Sequence, residues 1–450
     1  MNLQQQLQQA MALHQAGRLA EAEPLYVRAL RDHPQAYPVL HLAGLLRYQQ
    51  GRLEEALGLM ERALKVQPGA PETLTNYGLA LSSAGRHSQA LAALDQALKG
   101  RPGHGRSWSN RGTVLAKMGR PEDALGDFDR ALALEPGNAE THHNRGLTLH
   151  TLRRFDEALD SFGQAVRLRP DYAEAWNNRG ISLRAVGRDP AALADFEQAL
   201  TLVPRDQGAL LNRANTLWSL GHMEESLVTY NRALAINPQN AAALHGRGGL
   251  LAKMKRYDLA IADLEQAKLL QPDLPYLQGN LLNLKMVICD WQNFARDKDA
   301  LDAAGSDGRP AAEPFTYQAL SDSPAALLQC ARLFAGRNVT AGPAVCTRKH
   351  RRPGRIRIGY VAGEFHNHAT SILSAGLYEA HCRSDFEIFA FDNGVSDGSS
   401  MRRRLETAIE IYRDELDAIN SFFPDRKVIR YDILEYVEGQ ASHDDKSHKT

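Results

Sequence analysis

One column of asparagines has the chemistry to bind a polypeptide of any sequence. Its five members recur every 34 residues: Asn76, Asn110, Asn144, Asn178 and Asn212. A side-chain carboxamide both donates and accepts hydrogen bonds, as a peptide unit does. If the helices that carry them lie ~9 Å apart, an extended chain rising ~3.3 Å per residue meets one asparagine about every three residues. The column predicts a site for an extended polypeptide; the alternative is that asparagine is merely tolerated at an exposed helical position.

A neighbouring column of arginines has a structural interpretation. Its members are Arg111, Arg145, Arg179, Arg213 and Arg247. Three aspartates, Asp127, Asp195 and Asp263, follow sixteen residues after three of these arginines. That spacing places each aspartate on the next helix of the same unit, so the pattern favours ion pairs within a unit over phosphate sites.

Two histidines have the chemistry for proton transfer. His366 and His368 lie in the loop between the apolar run IRIGYVAG and a predicted helix. Loops at the carboxyl ends of parallel strands commonly contact ligands. A histidine with a pKa near neutrality can accept the proton of an attacking hydroxyl. Because isolated loop histidines are more often exposed to solvent, the pattern alone leaves both interpretations open.

No metal site is expected. The four cysteines, Cys289, Cys330, Cys346 and Cys382, show no CxxC spacing and suggest neither zinc nor a disulfide framework. Two histidines and two aspartates near the end of the sequence have the chemistry of metal ligands, but a solvated terminus explains them better. They are His443, Asp444, Asp445 and His448.

The elements that carry these residues are repeated units. Prolines that end helical runs recur every 34 residues: Pro34, Pro68, Pro102, Pro136, Pro170, Pro204, Pro238 and Pro272. Within the units, small residues such as Gly112 and Ala124 alternate with large ones such as Phe128, a pattern that interlocks two helices. Glycine ends most first helices; Arg153 and Lys255 replace it in units five and eight, so those turns are expected to differ slightly.

These columns resemble the tetratricopeptide repeat consensus over eight units, residues 1–272. Single hairpins cannot bury their apolar faces, so they stack into a superhelix with a concave groove. The predicted fold class is mainly α: a tetratricopeptide-repeat α-solenoid, followed by the start of an α/β Rossmann-like lobe. Residues 273–353 are expected to form a capping helix and connector. A strand–helix–strand pattern predicts a partial lobe over 354–410, before a divergent tail over 411–450.

The segment Gly359–Ser371, GYVAGEFHNHATS, resembles the catalytic region of the SPINDLY-like O-linked N-acetylglucosamine (O-GlcNAc) transferases. Cys289–Trp291 and the connector resemble their interdomain region, and the similarity runs from about Leu3 to Leu405. The resemblance implies an asparagine ladder that holds the acceptor protein and transfer of a sugar from UDP-N-acetylglucosamine to Ser or Thr. It assigns His368 to the active site and gives His366 no role. It implies no cofactor and no metal.

The same resemblance predicts an incomplete catalytic region, because the motifs of the family's second lobe are not found up to residue 450. Two hypotheses follow. The first is a protein O-GlcNAc transferase-like protein that binds acceptor polypeptides in its concave groove. The second is a non-enzymatic tetratricopeptide adaptor for protein–protein interaction. Whether this chain is itself an enzyme, and whether it dimerises through the repeats, is left open.

Charge and hydropathy argue against other classes of partner. Lys plus Arg and Asp plus Glu both total 53, so the net charge at pH 7 is zero. No protein-wide field therefore attracts nucleic acid or an anionic membrane. No apolar run approaches the ~20 residues of a membrane span, and the N-terminus lacks the pattern of a secretion signal. A cytoplasmic protein without nucleic-acid or membrane partners is expected.

Overall fold

The computed structural model describes residues 2–338, 356–362, 379, 386–392, 399–408 and 411–413. The chain divides into two compact units, Met1–Thr340 and Ala341–Thr450. Helices make up the regular structure described in the first unit, and the second contains a small parallel sheet.

Eight helical hairpins form most of the first unit. Every first helix has 13 residues and every second helix has 14. The hairpins are α1 (Leu3–Gln15) with α2 (Leu19–Asp32), α3 (Tyr37–Gln49) with α4 (Leu53–Val66), α5 (Pro71–Ser83) with α6 (His87–Gly100), α7 (Gly105–Lys117) with α8 (Pro121–Leu134), α9 (Ala139–Thr151) with α10 (Phe155–Leu168), α11 (Ala173–Ala185) with α12 (Asp189–Leu202), α13 (Gln207–Ser219) with α14 (Met223–Ile236), and α15 (Ala241–Lys253) with α16 (Tyr257–Leu270). The predicted helical repeat fold is confirmed.

Each hairpin turn depends on one residue in the left-handed conformation. In six turns this residue is a glycine with φ between 71° and 81°. Arg153 and Lys255 hold the same place with φ of 58° and 60°. The hydrogen bond that closes the turn is kept, since Arg256 N–H donates to Leu251 O at 2.8 Å. These two turns therefore differ only slightly from the others, although a left-handed non-glycine residue costs ~1–2 kcal/mol.

The two helices of a hairpin touch where one of them has a small residue. A Cβ added to Gly112 would lie 2.9 Å from Phe128 Cε1, and one added to Gly180 would lie 2.6 Å from Phe196 Cε1. Neither distance leaves room for a side chain on the glycine. Both phenylalanines are fully buried, which stabilises each hairpin by up to about 3 kcal/mol per ring. The predicted interlocking of small and large residues is confirmed.

The first helices form the inner wall of the stack. Each of them lies against the first helix of the next repeat, from α1 and α3 onwards, whereas no two second helices described here make comparable contact. Since the first helices approach one another and the second helices diverge, the stack curves towards the first helices. Side chains on the seams between first helices therefore line the concave side.

A group of shorter helices follows the last hairpin. They are α17 (Leu277–Val287), α18 (Phe294–Ser306), α19 (Pro314–Gln318) and α20 (Pro324–Asn338). One face of α17 continues the apolar core of α16, and Leu282 on α17 packs with Leu301 and Tyr317. Residues 309–312 cross the start of α17, where Gly279 N–H donates to Ala311 O at 2.9 Å. The free N–H groups and the apolar surface at the end of the stack are thereby covered.

The second unit contains the strands β1 (Ile356–Ala362), β2 (Phe386–Asp392) and β3 (Ile411–Arg413), and helix α21 (Ser400–Ala408). The strand order is β1-β2-β3, and both pairs are parallel. Ile356 pairs with Phe386, and Ala362 pairs with Asp392. The two strands expected from the sequence therefore pair in parallel as predicted, and β3 extends the sheet from the start of the region 411–450.

Candidate functional site

The asparagine column lies on the seams of the inner wall. Three members donate from Nδ2 to a side chain on the first helix of the preceding repeat: Asn144 to Thr113 Oγ1 (3.4 Å), Asn178 to His143 Nε2 (2.9 Å) and Asn212 to Asn177 Oδ1 (3.0 Å). These bonds fix the amides between two helices. The structure thus brings the predicted residues into one line on the concave side.

Most of the hydrogen-bonding capacity of these three amides is unused. Asn144, Asn178 and Asn212 are partly exposed. The Oδ1 atoms of Asn178 and Asn212 accept no hydrogen bond from any described residue, whereas the side chain of Asn144 is also hydrogen-bonded to His143. Each amide also keeps a second N–H. The line therefore offers both a donor and an acceptor at the repeats of Asn178 and Asn212, and a second N–H donor at the repeat of Asn144.

The first two members of the column differ from the others. Asn76 is only 6% exposed, so its amide is less accessible than the rest. The Nδ2 atom of Asn110 is buried without a hydrogen-bond partner in the described structure. An unpaired buried donor costs about 1–3 kcal/mol. Asn110 therefore lowers the stability of the stack at this position.

A further asparagine, Asn280 on α17, continues the column and was missed in the sequence. Its Nδ2 lies 3.3 Å from His245 Nε2, the same arrangement as Asn178 with His143. The signal was present, because Asn280 follows the interrupting Gly246 by 34 residues. The interruption, together with the loss of the proline and glycine pattern after Pro272, concealed it.

Histidines supply acceptors along the same seam. Because His143 Nε2 accepts from Asn178, the neutral ring carries its proton on Nδ1, which lies 3.1 Å from the Tyr172 hydroxyl. Burial lowers the pKa of His143, of His245 and of His41, which holds the same helix position. Neutral amides and imidazoles therefore provide these contacts between repeats.

The arginine column is engaged in ion pairs. Arg111 donates to both carboxylate oxygens of Asp127 (2.7 and 2.8 Å) and to Asp95 of the preceding repeat (2.7 Å). Arg179 and Arg247 bind Asp195 and Asp263 in the same two-pronged way. The predicted ion pairs within a repeat are confirmed.

The remaining two arginines reveal a period of two repeats. Arg145 binds the hydroxyl of Ser161 within its own repeat, and its carboxylate partner, Asp129, belongs to the preceding repeat. Arg213 likewise binds Thr229 in its own repeat and Glu197 in the one before. Each arginine thus has at least one carboxylate, which leaves the column little capacity for a phosphate.

The sequence matches the tetratricopeptide repeat family in four stretches, residues 7–73, 75–139, 143–209 and 211–275. Together they cover more than half of the chain. The chain belongs to the tetratricopeptide repeat family. A solved tetratricopeptide repeat protein from Parabacteroides merdae is 20% identical and covers 56% of this chain and 98% of its own, with a TM-score of 0.43.

Residues 341–422 of the tetratricopeptide chain match a second family, glycosyl transferase family 41. A UDP-N-acetylglucosamine–peptide N-acetylglucosaminyltransferase from Caenorhabditis elegans is 40% identical over 60 residues, which are 13% of this chain and 5% of that protein. A probable enzyme of the same name from Arabidopsis thaliana is 33% identical over 60 residues, 13% of this chain and 6% of its own. The similarity thus spans about one twentieth of these relatives.

The predicted active-site residue His368 lies outside the described residues, as does His366. In the described part of the tetratricopeptide chain, no group of three or more His, Cys, Asp or Glu is placed to hold a metal ion. Within the same ranges, none of the helices is long and apolar enough to span a membrane. The described site is therefore the asparagine seam of the repeats.

Proposed function

We propose that this protein is an O-GlcNAc transferase-like protein of the SPINDLY type, whose inner wall binds acceptor polypeptides. One observation carries the proposal: a tetratricopeptide stack with unused amide groups on its inner wall shares a chain with a segment similar to glycosyl transferase family 41. The names of the two curated relatives support transfer of N-acetylglucosamine to polypeptides.

The inner wall would hold the backbone of a client rather than its side chains. The Oδ1 atoms of Asn178 and Asn212 can accept a hydrogen bond from a peptide N–H, and the second amide N–H of Asn144, Asn178 and Asn212 can donate to a peptide carbonyl. With ~9 Å between first helices, an extended client meets one asparagine of the column, or rung, about every three residues. Such a groove accepts many sequences, which suits an enzyme or adaptor with many clients.

The C-terminal part would contribute to sugar transfer. In this proposal residues 1–272 bind the client, 273–353 cap and connect, 354–410 belong to the first catalytic lobe and 411–450 form a divergent tail. A Ser or Thr hydroxyl of the client attacks the anomeric carbon of UDP-N-acetylglucosamine as the bond to the diphosphate breaks. His368 would take the hydroxyl proton or orient the substrate, with no cofactor or metal.

A non-enzymatic adaptor is the second candidate. It is favoured by the fact that all the asparagine rungs belong to the first unit, Met1–Thr340, so that client binding needs no residue of the second. In this case the protein binds clients without turnover.

Titration of the 450-residue chain with UDP-N-acetylglucosamine by isothermal calorimetry separates the two candidates. Saturable binding, together with incorporation of labelled sugar into an unstructured Ser/Thr-containing peptide, supports the transferase. Peptide binding without nucleotide binding supports the adaptor. Failure of the folded chain to bind any peptide contradicts both.

A further inference from the structure

The asparagine ladder has a gap at the eighth repeat, where Gly246 stands between the rungs Asn212 and Asn280. A second glycine, Gly249, lies one turn further along α15. A Cβ at residue 249 would lie 2.8 Å from Trp218 Cη2, and one at residue 246 would lie 2.5 Å from the hydroxyl of Tyr230. Packing therefore excludes side chains at both positions. In their place the partly exposed indole of Trp218 lies against α15.

The indole N–H of Trp218 is a donor without an acceptor among the described residues. In Trp108 and Trp176 the indole N–H donates to a proline carbonyl at 2.8 and 2.9 Å, and an arginine guanidinium lies 4.5 and 4.6 Å from the ring centroid. No described residue accepts a hydrogen bond from Trp218 or places a cation over its ring. Trp218 packs against the core residues Ala214, Tyr230 and Leu250, but it differs from the other two tryptophans in its hydrogen bonding.

In three other repeats the same helix position is occupied by a side chain that bonds to the next repeat. His14 Nε2 lies 2.8 Å from Gln49 Oε1, and the Tyr48 hydroxyl lies 3.2 Å from Ser83 Oγ. His150 Nδ1 lies 2.9 Å from a serine hydroxyl of the following repeat. These bonds place the position on the inner seam. At Trp218 the seam instead presents an aromatic ring with a free donor.

We propose that Trp218 and the glycine gap form a side-chain subsite of the client groove. It takes the ring of a proline or an aromatic residue in an extended polypeptide whose backbone is held by Asn212 and Asn280. The inference rests on the proposed peptide binding. An apolar ring stacks on the indole face while the indole N–H donates to a carbonyl of the client, a combination that suits proline-containing extended chains.

The spacing of the rungs suits one such residue. First helices ~9 Å apart put Asn212 and Asn280 about 18 Å apart, because one repeat lies between them. An extended chain covers that distance in about five or six residues at ~3.3 Å each. One ring near the middle of this stretch would lie over Trp218, and the repeats carrying asparagine would impose no such preference.

Selection of random 12-residue peptides on the immobilised full chain tests the subsite. The wild type is expected to enrich peptides that carry a proline or aromatic residue. Trp218→Leu should still recover peptides, but with the enrichment of ring residues reduced at least fivefold. Trp176→Leu is the matched control, with the preference unchanged. An unaltered preference in Trp218→Leu overturns the subsite alone. Failure of the wild type to enrich any peptide overturns peptide binding and the subsite together.

A second variant, Trp218→Phe, tests the subsite if Trp218→Leu does not fold. Trp218→Phe keeps an aromatic ring against Gly249 and removes the N–H. It should weaken binding of a selected ring-containing peptide about threefold to tenfold, the effect of one lost hydrogen bond. Full affinity in this variant, with its helical content intact by circular dichroism, would show that the indole N–H does not bind the client.

Discussion

The asparagine and arginine columns occupy consecutive positions on the same helices, yet their side chains are in opposite states. The guanidinium of Arg179 is held by both carboxylate oxygens of Asp195, which is buried. Its neighbour Asn178 donates one hydrogen bond to His143, and its side-chain Oδ1 accepts none from the described residues. Equal periodicity therefore does not mean equal role. Saturation of the hydrogen-bonding groups separates the arginine column, which holds repeats together, from the asparagine column, for which we propose client binding.

The largest expected effect comes from breaking the saturated column. Arg111→Ala leaves the carboxylate of Asp127, whose side chain is 6% exposed, without its partner. Removal of one member of a buried pair is strongly destabilising, so we expect a loss of about 2–4 kcal/mol in the free energy of unfolding. Urea denaturation followed by circular dichroism measures it.

Arg106→Ala on the same helix is the control, because this arginine is exposed and its loss should cost less than about 0.5 kcal/mol. Equal stability of the Arg111 and Arg106 variants would show that the arginine column does not hold the stack together.

Changes in the asparagine column should affect the affinity for peptides and leave stability nearly unchanged. Replacing Asn110, Asn144 and Asn178 by Ala removes the hydrogen bonds of Asn144 and Asn178, but it also removes the unpaired donor of Asn110 and improves helix propensity. These effects largely offset one another, so stability should change by less than about 1 kcal/mol. Affinity for a peptide selected on the wild type should fall at least tenfold, about 1.4 kcal/mol. Fluorescence polarisation of the labelled peptide measures this.

The matched control replaces three exposed carboxamides on second helices, Gln89, Gln164 and Gln266, by Ala. These residues face away from the inner wall and should leave affinity unchanged. If the two triple variants bind equally well, the ladder is not a binding site.

A third test uses pH, because the seam contains titratable acceptors. Burial lowers the pKa of His143 in the folded chain, against the opposing effects of Glu174 and Glu140, while the unfolded chain keeps a value of about 6.5. Below pH 6.5 the unfolded chain therefore binds more protons than the folded one. This histidine's contribution to stability is complete above that pH, falls as the pH drops below it, and stops falling below the lowered pKa.

The stability of the wild type should accordingly decline more steeply between pH 7.5 and 5.5 than that of His143→Gln, whose amide can still accept from Asn178. Arginine keeps its charge across this pH range, so titration of the arginine column does not contribute to the decline in stability. Parallel stability curves for the two proteins would assign the decline to other groups.

The sequence was sufficient for the repeat architecture and for the ion pairs, because both follow from spacing. Sixteen residues carry the chain from Arg111 to Asp127 through one turn of fixed geometry, so the contact could be predicted. Asn280 could not be found by continuing a consensus, since α17 keeps the helix position but has lost the surrounding motif. The free donor of Trp218 was also beyond sequence reasoning, because it depends on which neighbours fail to reach it.

The smallest expected effect concerns the turns, where backbone strain rather than hydrogen bonding sets the residue type. Lys255 holds φ of 60° in the place where six repeats use glycine. Lys255→Gly relieves ~1–2 kcal/mol of strain and adds about 0.5–1 kcal/mol of backbone entropy to the unfolded chain, for a net gain of roughly 0.5 kcal/mol.

Gly51→Ala is the reverse change. An added Cβ at Gly51 meets no atom within 4 Å, so its effect comes from the backbone alone and should be a loss of about 1 kcal/mol. Thermal unfolding of both variants compares them. Stability changes of opposite sign in the two variants would show that backbone conformation sets the residue type in the turns. The turn residues would then recur for a different reason from the arginines and the asparagines. A loss of stability in Lys255→Gly would mean that the lysine side chain makes a compensating contribution at this turn.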